Sequence, residues 1–449
     1  MASKTKRGFL YYLLWVAFIG FGIVCLFASV LLFNPGKDVY GIGLRYISHR
    51  GAENVNVYDE NNTTFNSLSF DKVVFNSKYS DFSLVKTAEY TQITFGIDKK
   101  VNGFSNDENY KGCYLEFNCE NNTLNVNVVE PEFWFALAKS IKVVMYYPIN
   151  YDFSNKTFEF NTDEGQIELP GKTSAGELKI YGLNIKSGSG KILTYKELIV
   201  NSGIVNITTE KSETYLYNNI GNTLNFKSNN GRLVIEKISG NLTIDTQNLS
   251  AKCGTIGGNV SYACKTGYIM INKLLGNFTA IIDKMHIADV VIDEIQGNAT
   301  IPTAESSNIT IKKITGEALI DTTSGYVKIE EAHNNVTIKT KNGSVNLTQV
   351  GLNTKNDIQT ENGVVNANFK DIRNVYIETI KGAINVNVAT DLSYKFIYET
   401  QNSVTVSWIK EKIEKAGTIL IGGASENSIN TLRAISTNGK ITLKDGFKA

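Results

Sequence analysis

An excess of charge is the first thing this 449-residue chain lacks, since 45 Lys and Arg stand against 44 Asp and Glu. Neutralising phosphates requires clustered Lys and Arg, so the composition excludes a nucleic-acid binder driven by bulk electrostatics. Proline is also scarce, because the five prolines are about 1% of the chain against a usual share of about 5%. Turns must therefore be built from other residues, and the chain supplies 37 Gly and 50 Asn for them.

Histidine is almost absent, and so are the motifs of catalysis. The three histidines, His49, His286 and His333, are far apart in sequence, and none belongs to a metal-binding or nucleophile motif. The chain contains no G-x-S-x-G, H-E-x-x-H or P-loop pattern. The sequence therefore predicts a protein that is not an enzyme, with no catalytic, metal-binding or cofactor-binding residues and no cofactor.

Cysteine is scarce as well, with five in the chain. Four of them follow the N-terminal region, namely Cys113, Cys119, Cys253 and Cys264. None forms a C-x-x-C motif or a Cys/His cluster, which argues against a zinc site. Their spacing leaves two alternatives open, disulfides or buried free thiols.

One long hydrophobic run is present, because the whole of Phe9–Phe33 carries no charge. At about 1.5 Å per residue this run is long enough to span a hydrocarbon core of about 30 Å. Lys4, Lys6 and Arg7 precede it, and such charges favour the cytoplasmic side. The alternative, a cleaved signal peptide, has an apolar core of only about 7–15 residues. We therefore predict a cytoplasmic tail at residues 1–8, a transmembrane signal anchor at 9–33, and a single-pass cell-membrane protein with an extracellular C-terminal domain.

After this run the chain alternates polar and apolar residues, with a recurring unit Gly-x-apolar-x-apolar. The unit begins at Gly325, Gly343, Gly363 and Gly382, with a nearly constant step between them. Gly439 lies much further on, at a distance that we interpret as three more steps, with Asn402 between them. Each unit contains two short strands that bury their apolar face only when stacked on neighbours. The predicted fold is all-β, a β-solenoid with rungs of about 19 residues.

The repeat also divides the chain. The solenoid is predicted to cover residues 161–449, and a membrane-proximal β region without a clear period is predicted for 34–160. The segment Trp408–Gly417 departs from strand alternation and predicts a short amphipathic helix over the end of the solenoid.

Specific motifs then suggest a family. The segment VMYYPINY (residues 144–151) is followed by T-x-x-G-x-I-x-V units, seen in TKNGSVNL, TENGVVNA and TIKGAINV. This combination resembles the bacterial putative-adhesin family of envelope-anchored β-solenoids over roughly residues 140–449. The resemblance implies a surface location and an adhesive role, with no catalytic residues to carry over.

Acidic residues supply the alternative interpretation. Asp245, Asp283, Asp293 and Asp321 each follow an Ile at the end of a strand. Stacked on successive rungs, such carboxylates would suit calcium or a polysaccharide lyase of the β-helix type. Pro302 and Lys339 occupy the same offset within their units, so a continuous carboxylate ladder is not predicted. Turn-capping Asp is the preferred interpretation.

The predicted function is therefore non-catalytic surface binding or adhesion, or a structural role at the envelope. A β-helix carbohydrate-active enzyme of the polysaccharide lyase type is the alternative. The predicted partners are the membrane, through a single span, and a surface glycan, cell-wall or protein ligand of unknown identity, but no nucleic acid. Fourteen Asn-x-Ser/Thr sequons occur, and alternating Asn/Thr-rich strands generate such sequons by geometry.

Overall fold

The computed structural model describes residues 14–25, 45–56, 70–105, 112–217, 223–282, 288–407, 409 and 411–447. In these ranges it has one helix, α1 (residues 14–25), and 34 strands. The N-terminal strands are β1 (Arg45–Asn56), β2 (Lys72–Ser77), β3 (Asp81–Thr87), β4 (Thr94–Ser105), β5 (Tyr114–Glu120), β6 (Thr123–Val129), β7 (Phe135–Pro148), β8 (Phe153–Thr162) and β9 (Ile167–Glu168).

The middle strands are β10 (Leu178–Ser187), β11 (Ile192–Thr194), β12 (Leu198–Val200), β13 (Ile204–Leu216), β14 (Thr223–Ile238), β15 (Asn241–Ile256) and β16 (Val260–Leu274). Next come β17 (Phe278–Ile282), β18 (Ala288–Ile295), β19 (Ala299–Ser306), β20 (Ile309–Ile314), β21 (Ala318–Ser324), β22 (Val327–Ala332), β23 (Val336–Thr340), β24 (Val345–Gln349) and β25 (Lys355–Thr360). The last are β26 (Val365–Phe369), β27 (Asn374–Thr379), β28 (Ile384–Ala389), β29 (Tyr394–Thr400), β30 (Val404–Ser407), β31 (Lys412–Lys415), β32 (Thr418–Ile421), β33 (Thr431–Ser436) and β34 (Ile441–Phe447).

Helix α1 corrects the prediction of a membrane anchor. The part of it that the structure describes, residues 14–25, is about 18 Å long, against a hydrocarbon core of roughly 30 Å. Among the residues that the structure describes, no helix is long and apolar enough to cross a membrane. This finding contradicts the predicted single-pass anchor and the location that was based on it. The rest of the predicted span, residues 9–13 and 26–33, lies outside the described residues, as does the predicted tail at 1–8.

Most strands form two parallel ladders, which we name sheet A and sheet B. Sheet A runs in the order β6, β2, β8, β10, β13, β14, β15, β16, β17, β19, β21, β23, β25, β27, β33, β29. Sheet B runs in the order β7, β3, β9, β11, β13, β14, β15, β16, β18, β20, β22, β24, β26, β28, β34, β30. The long strands β13–β16 pass from one sheet into the other. The inward side chains of both sheets form one hydrophobic core.

One coil of chain contributes a strand to each sheet and then starts the next coil. Val327, Val345, Val365 and Ile384 lie in register on successive strands of sheet B, at the spacing of the predicted repeat. All four are buried, while their sequence neighbours point outward. The all-β prediction is confirmed, and this stacking is the arrangement expected of a β-solenoid.

The Thr-x-x-Gly units are the tight turns between sheet A and sheet B. In one turn the backbone N–H of Gly363 donates to Oγ1 of Thr360 at 3.0 Å. The same hydroxyl donates to the carbonyl of Gly343 on the preceding coil at 3.2 Å. Thr379 and Gly382 repeat both contacts one coil later, at 3.0 and 3.3 Å. The motif is therefore a buried ladder of hydroxyls and carbonyls that fixes the stacking of the turns.

The C-terminal coil is placed out of chain order, and this corrects the three-step interpretation of Gly439. Strand β33 pairs with β27 and β34 pairs with β28, so this coil stacks directly on the coil of Gly382. Strands β29 and β30, which precede it in sequence, lie on its other side. Gly439 therefore follows Gly382 in the stack, and Asn402 comes after it.

The segment predicted as a capping helix is not helical where the structure describes it. Strand β31 forms an antiparallel hairpin with β32, and β32 pairs with β29. Trp408 and Lys410 lie outside the described residues. All four residues of β31 are exposed, so both faces of this strand are toward solvent, and its charged side chains need no buried partner. The hairpin extends the end of sheet A, as a solenoid end requires a cover over its last strand edge.

The N-terminal end is also closed by antiparallel strands. Strand β5 pairs antiparallel with β6 at the end of sheet A, and β7, β4 and β1 form an antiparallel set at the end of sheet B. The coil formed by β2 and β3 lies between β6–β7 and β8–β9, so chain order is broken here too. At each end of the stack, therefore, one coil lies between two coils that do not directly precede or follow it in sequence.

Asp81 provides a test of burial at this end. Burial raises the pKa of this carboxyl, and the nearby Glu168 raises it further, whereas a hydrogen bond from the backbone N–H of Gln166 opposes the shift. A carboxyl whose pKa is higher in the folded state than in the unfolded state favours folding in its protonated form. This contribution to stability is fully present when the pH is below the pKa of the unfolded state, and it is lost as the pH rises through the pKa of the folded state. We expect Asp81→Asn, which keeps the acceptor oxygen, to raise the free energy of unfolding at pH 7. The gain should vanish as pH falls toward the unfolded pKa, measured by urea titration across pH, and a gain independent of pH would contradict this.

Candidate functional site

An open groove of about 1240 Å³ crosses sheet A near its N-terminal end. It follows one outward column of side chains across six strands, from β6 through β2, β8, β10 and β13 to β14. That column consists of Asn127, Asn76, Asn161, Lys186, Thr208 and Lys227. Residues of the turns toward sheet B form the other side: Lys78, Glu130, Glu132, Asp163, Glu164, Ser189, Glu210, Lys211 and Asn229.

An amide ladder occupies the first half of the column. Nδ2 of Asn76 donates to Oδ1 of Asn127 at 2.8 Å, and Nδ2 of Asn161 donates to Oδ1 of Asn76 at 2.9 Å. A carboxamide has two N–H donors and an oxygen with two lone pairs, so the ladder leaves hydrogen-bonding capacity on its members. The groove wall therefore repeats a donor and an acceptor at the strand spacing of about 4.8 Å.

Glu130 stabilises the turn after β2, which forms part of one side of the groove. One carboxylate oxygen accepts from Oγ of Ser77 at 2.9 Å and also from the hydroxyl of Ser80. The other accepts from the backbone N–H of Lys78 at 2.6 Å. Because both oxygens of this carboxylate accept hydrogen bonds from the turn, Glu130 has a structural role there.

The charges of the groove nearly cancel. Lys78 and Glu132 form an exposed ion pair at 2.8 Å, and their hydrogen bond raises the pKa of Lys78 and lowers that of Glu132. Both groups stay charged near neutral pH, although such an exposed pair adds little stability. Lys227 lies 3.6 Å from Asp245 at the far end. The lining thus suits a ligand with many hydroxyl or amide groups better than a highly charged polymer.

The structure does not gather the four Asp residues singled out in the sequence. Asp245 and Asp321 are on sheet A, opposite Lys227 and Lys339 in register, and Asp293 is on sheet B, 2.7 Å from Lys312. Asp283 lies outside the described residues. Within the described ranges no group of three or more His, Cys, Asp or Glu could hold a metal ion. Asp245, Asp293 and Asp321, the three of these residues that the structure describes, are therefore not gathered at one site.

The histidines and cysteines are equally dispersed. His333 contacts Glu331 at 2.5 Å, His49 is on β1, and His286 is outside the described residues. Cys113, Cys253 and Cys264 are buried free thiols, and Cys119 is exposed. Burial raises the pKa of Cys253 to about 12, so this thiol is not a ready nucleophile near neutral pH.

No sequence motif indicated the groove. Asn76 is 51 residues from Asn127 and 85 residues from Asn161, so no short pattern connects them. A second amide ladder runs through Asn184, Asn206 and Asn225, with contacts of 2.8 and 2.9 Å. There the repeat spacing is visible in sequence, and it makes the sequon at Asn206 part of a structural ladder.

Comparison with known proteins gives one family. The family described as Toastrack DUF4097 matches residues 195–444, and this match confirms the resemblance drawn from the Thr-x-x-Gly units. No curated protein matches the chain.

Three solved structures are similar to it at low identity. A "putative cell adhesion protein" from Clostridium sporogenes is 8% identical, with 89% of this chain and 100% of that chain covered and a TM-score of 0.17. A "putative adhesin" from Bacteroides fragilis is 9% identical, with 89% and 97% covered and a TM-score of 0.18. One from Parabacteroides distasonis is 10% identical, with 75% and 97% covered and a TM-score of 0.21. TM-scores this low do not define a shared overall arrangement.

Proposed function

The chain belongs to the Toastrack DUF4097 family, and from that premise we propose that it is a non-catalytic adhesion module that binds an extended polysaccharide along the groove of sheet A. The observation that carries the proposal is the shape and lining of the groove. It is open along its length, it follows the stacking direction across six strands, and most of the side chains that line it are polar. A chain-like ligand with repeating hydroxyl or amide groups matches such a surface.

The spacing of the strands supports a repeating ligand. Successive side chains of the column are about 4.8 Å apart along the stack, so a ligand whose polar groups repeat at a similar interval meets one side chain of the column at each step. Each contact is weak because it is exposed to water, and binding strength comes from the number of contacts made together. Long glycans should therefore bind much more tightly than short ones of the same composition.

Catalysis is not part of the proposal, because Asp245 and Asp293 are each paired with a lysine and lie on different sheets. A lyase would need acids and bases converging beside one bond of the substrate. Turnover of a uronic-acid polymer that is abolished by Asp321→Asn would overturn the non-catalytic assignment.

Two lysines offer a direct test of the groove. Lys186 and Lys227 are exposed members of the column on β10 and β14. We expect Lys186→Ala with Lys227→Ala to weaken binding to long neutral β-1,4-linked glycans by about tenfold or more, since two charge-assisted hydrogen bonds are lost. Binding is measured on a glycan array graded by chain length and then by titration calorimetry.

A matched control separates the groove from general surface charge. Lys252 on β15 and Lys355 on β25 are exposed lysines outside the groove. Lys252→Ala with Lys355→Ala should leave the affinity unchanged. Equal losses in both double variants, or equal affinity for short and long glycans, would contradict binding along the groove.

A further inference from the structure

The C-terminal coil, residues 431–447, is inserted between two other coils of the stack. It occupies a slot whose lower wall is β27–β28 and whose upper wall is β29–β30. In sequence, strands β31 and β32 separate β29–β30 from this coil. The chain enters the slot through the loop of residues 422–430. The slot is thus filled by a segment that joins the stack as a separate unit.

Its contacts in the slot are those of any coil in the stack. Oγ of Ser436 donates to the carbonyl of Gly382 below at 2.9 Å. From above, Oγ1 of Thr400 donates to the carbonyl of Gly439 at 2.8 Å. The wall below therefore accepts this coil through the same turn ladder that joins Thr379 to Gly363.

The upper wall carries the same pattern as the coil itself. Val404 and Val406 lie in register with Ile441 and Leu443, and Thr400 has the turn position that Ser436 has in the coil. If the coil leaves the slot, β29–β30 is able to pack on β27–β28 in its place, because its apolar side chains have the same spacing. An open state then keeps the core covered, which lowers the cost of releasing the coil.

The upper interface is also the weaker of the two. Val404 and Val406 are only half-buried, whereas Ile384 and Val386 in the lower wall are fully buried. In the described structure, the buried Oη of Tyr394 and Oδ1 of Asp445 have no hydrogen-bond partner. Unpaired buried polar atoms cost free energy, and this cost adds to the weaker burial of Val404 and Val406 in lowering the stability of the inserted coil.

The connecting loop permits the coil to move. Most of residues 422–430 are exposed, and Gly422 and Gly423 have φ angles of 59° and 76°. An ion pair between Lys415 and Glu426 holds the loop on the surface, where such pairs contribute little. Nine extended residues span about 30 Å, enough to reach the same slot on an adjacent molecule.

We propose that two copies of this chain associate by reciprocal exchange of residues 431–447, each coil filling the slot between β27–β28 and β29–β30 of the other copy. Exchanging identical elements preserves every contact within the slot and strains only the hinge, which makes it a low-cost route to a dimer. The inference is independent of the proposed glycan groove.

A disulfide that forms only between copies tests the exchange. Asn385 on β28 and Thr442 on β34 lie in register on adjacent strands, at a separation of about 4.8 Å that suits a disulfide. One full-length chain carries Asn385→Cys and the other carries Thr442→Cys, both with Cys25→Ser and Cys119→Ser. The two are mixed at high concentration just below the unfolding transition, cooled and oxidised. We expect a cross-linked heterodimer on a non-reducing gel.

The matched control uses a pair in the body of the stack. Asn346 and Asn366 are in register on β24 and β26, which are flanked by coils in chain order. Mixing Asn346→Cys with Asn366→Cys should give at least several-fold less heterodimer. Equal cross-linking in both mixtures overturns the proposal. So does a chain with both Asn385→Cys and Thr442→Cys that closes its own disulfide while the mixed chains do not. Light scattering on the unmodified protein after the same incubation is the second measurement, and absence of a dimer there also overturns it.

Discussion

Ile384→Asp is expected to lower the free energy of unfolding by about 4 kcal/mol or more. Ile384 is fully buried on β28, between Val365 on one side and Ile441 on the other. An Asp at this position places a carboxylate among apolar side chains with no cation in the same column. Urea unfolding followed by far-ultraviolet circular dichroism measures the change.

The neighbouring position is the control. Asn385 points away from the core and donates to Oδ1 of Asn366 at 2.9 Å. Asn385→Asp removes that donor and should cost about 1 kcal/mol. Similar losses at both positions would show that the inward register of sheet B is wrong.

Gly363→Ala is expected to have the second large effect, for a steric reason. A Cβ built on Gly363 would lie 1.7 Å from the carbonyl oxygen of Gly343 on the preceding coil. That oxygen is fixed by the hydroxyl of Thr360, so neither side of the contact can move without breaking the turn ladder. We expect a loss of about 3–5 kcal/mol, in the range of severe core disruption, measured by thermal and urea unfolding.

Gly182→Ala is the matched substitution at a tolerant site. A Cβ on Gly182 would meet the side chain of Thr157 at 3.2 Å, and that side chain can shift. We expect a change within about 1 kcal/mol. If Gly363→Ala were tolerated equally well, the coils could not stack as closely as the structure has them.

Much of the local architecture follows from sequence. Alternation with period two identified which side chains of β24, β26 and β28 are buried, because successive residues of a strand point to opposite faces. The repeated Thr-x-x-Gly unit indicated the turns, since at Gly343, Gly363 and Gly382 the Thr hydroxyl accepts from the glycine N–H and a Cβ would collide with the preceding coil. The predicted step of the repeat matches the register of Val345, Val365 and Ile384.

Other predictions failed where the pattern was ambiguous. The segment Trp408–Gly417 predicted a short helix, yet its described part contains strand β31, whose residues are all exposed. The apolar run at residues 9–33 predicted a membrane span, and the described helix covers only residues 14–25. The Asp residues are a different case, because Lys339 at the same offset already argued against a continuous carboxylate ladder, and the register places Lys227 and Lys339 beside Asp245 and Asp321.

The order of the coils and the groove were decided by tertiary structure alone. The sequence distance between Gly382 and Gly439 fits three steps of the repeat, but the two glycines are adjacent in the stack. Closing a loop three times longer costs only about 1 kcal/mol more, so spacing could not determine which coil packs on β27–β28. Packing determined it, because Ile441 and Leu443 are fully buried in the slot whereas Val404 and Val406 are only half-buried at the end. The packing of coils also brings Asn76, Asn127 and Asn161 together. The local pattern determines which way each side chain points, and only the stacking of coils that are distant in sequence determines which side chains it contacts.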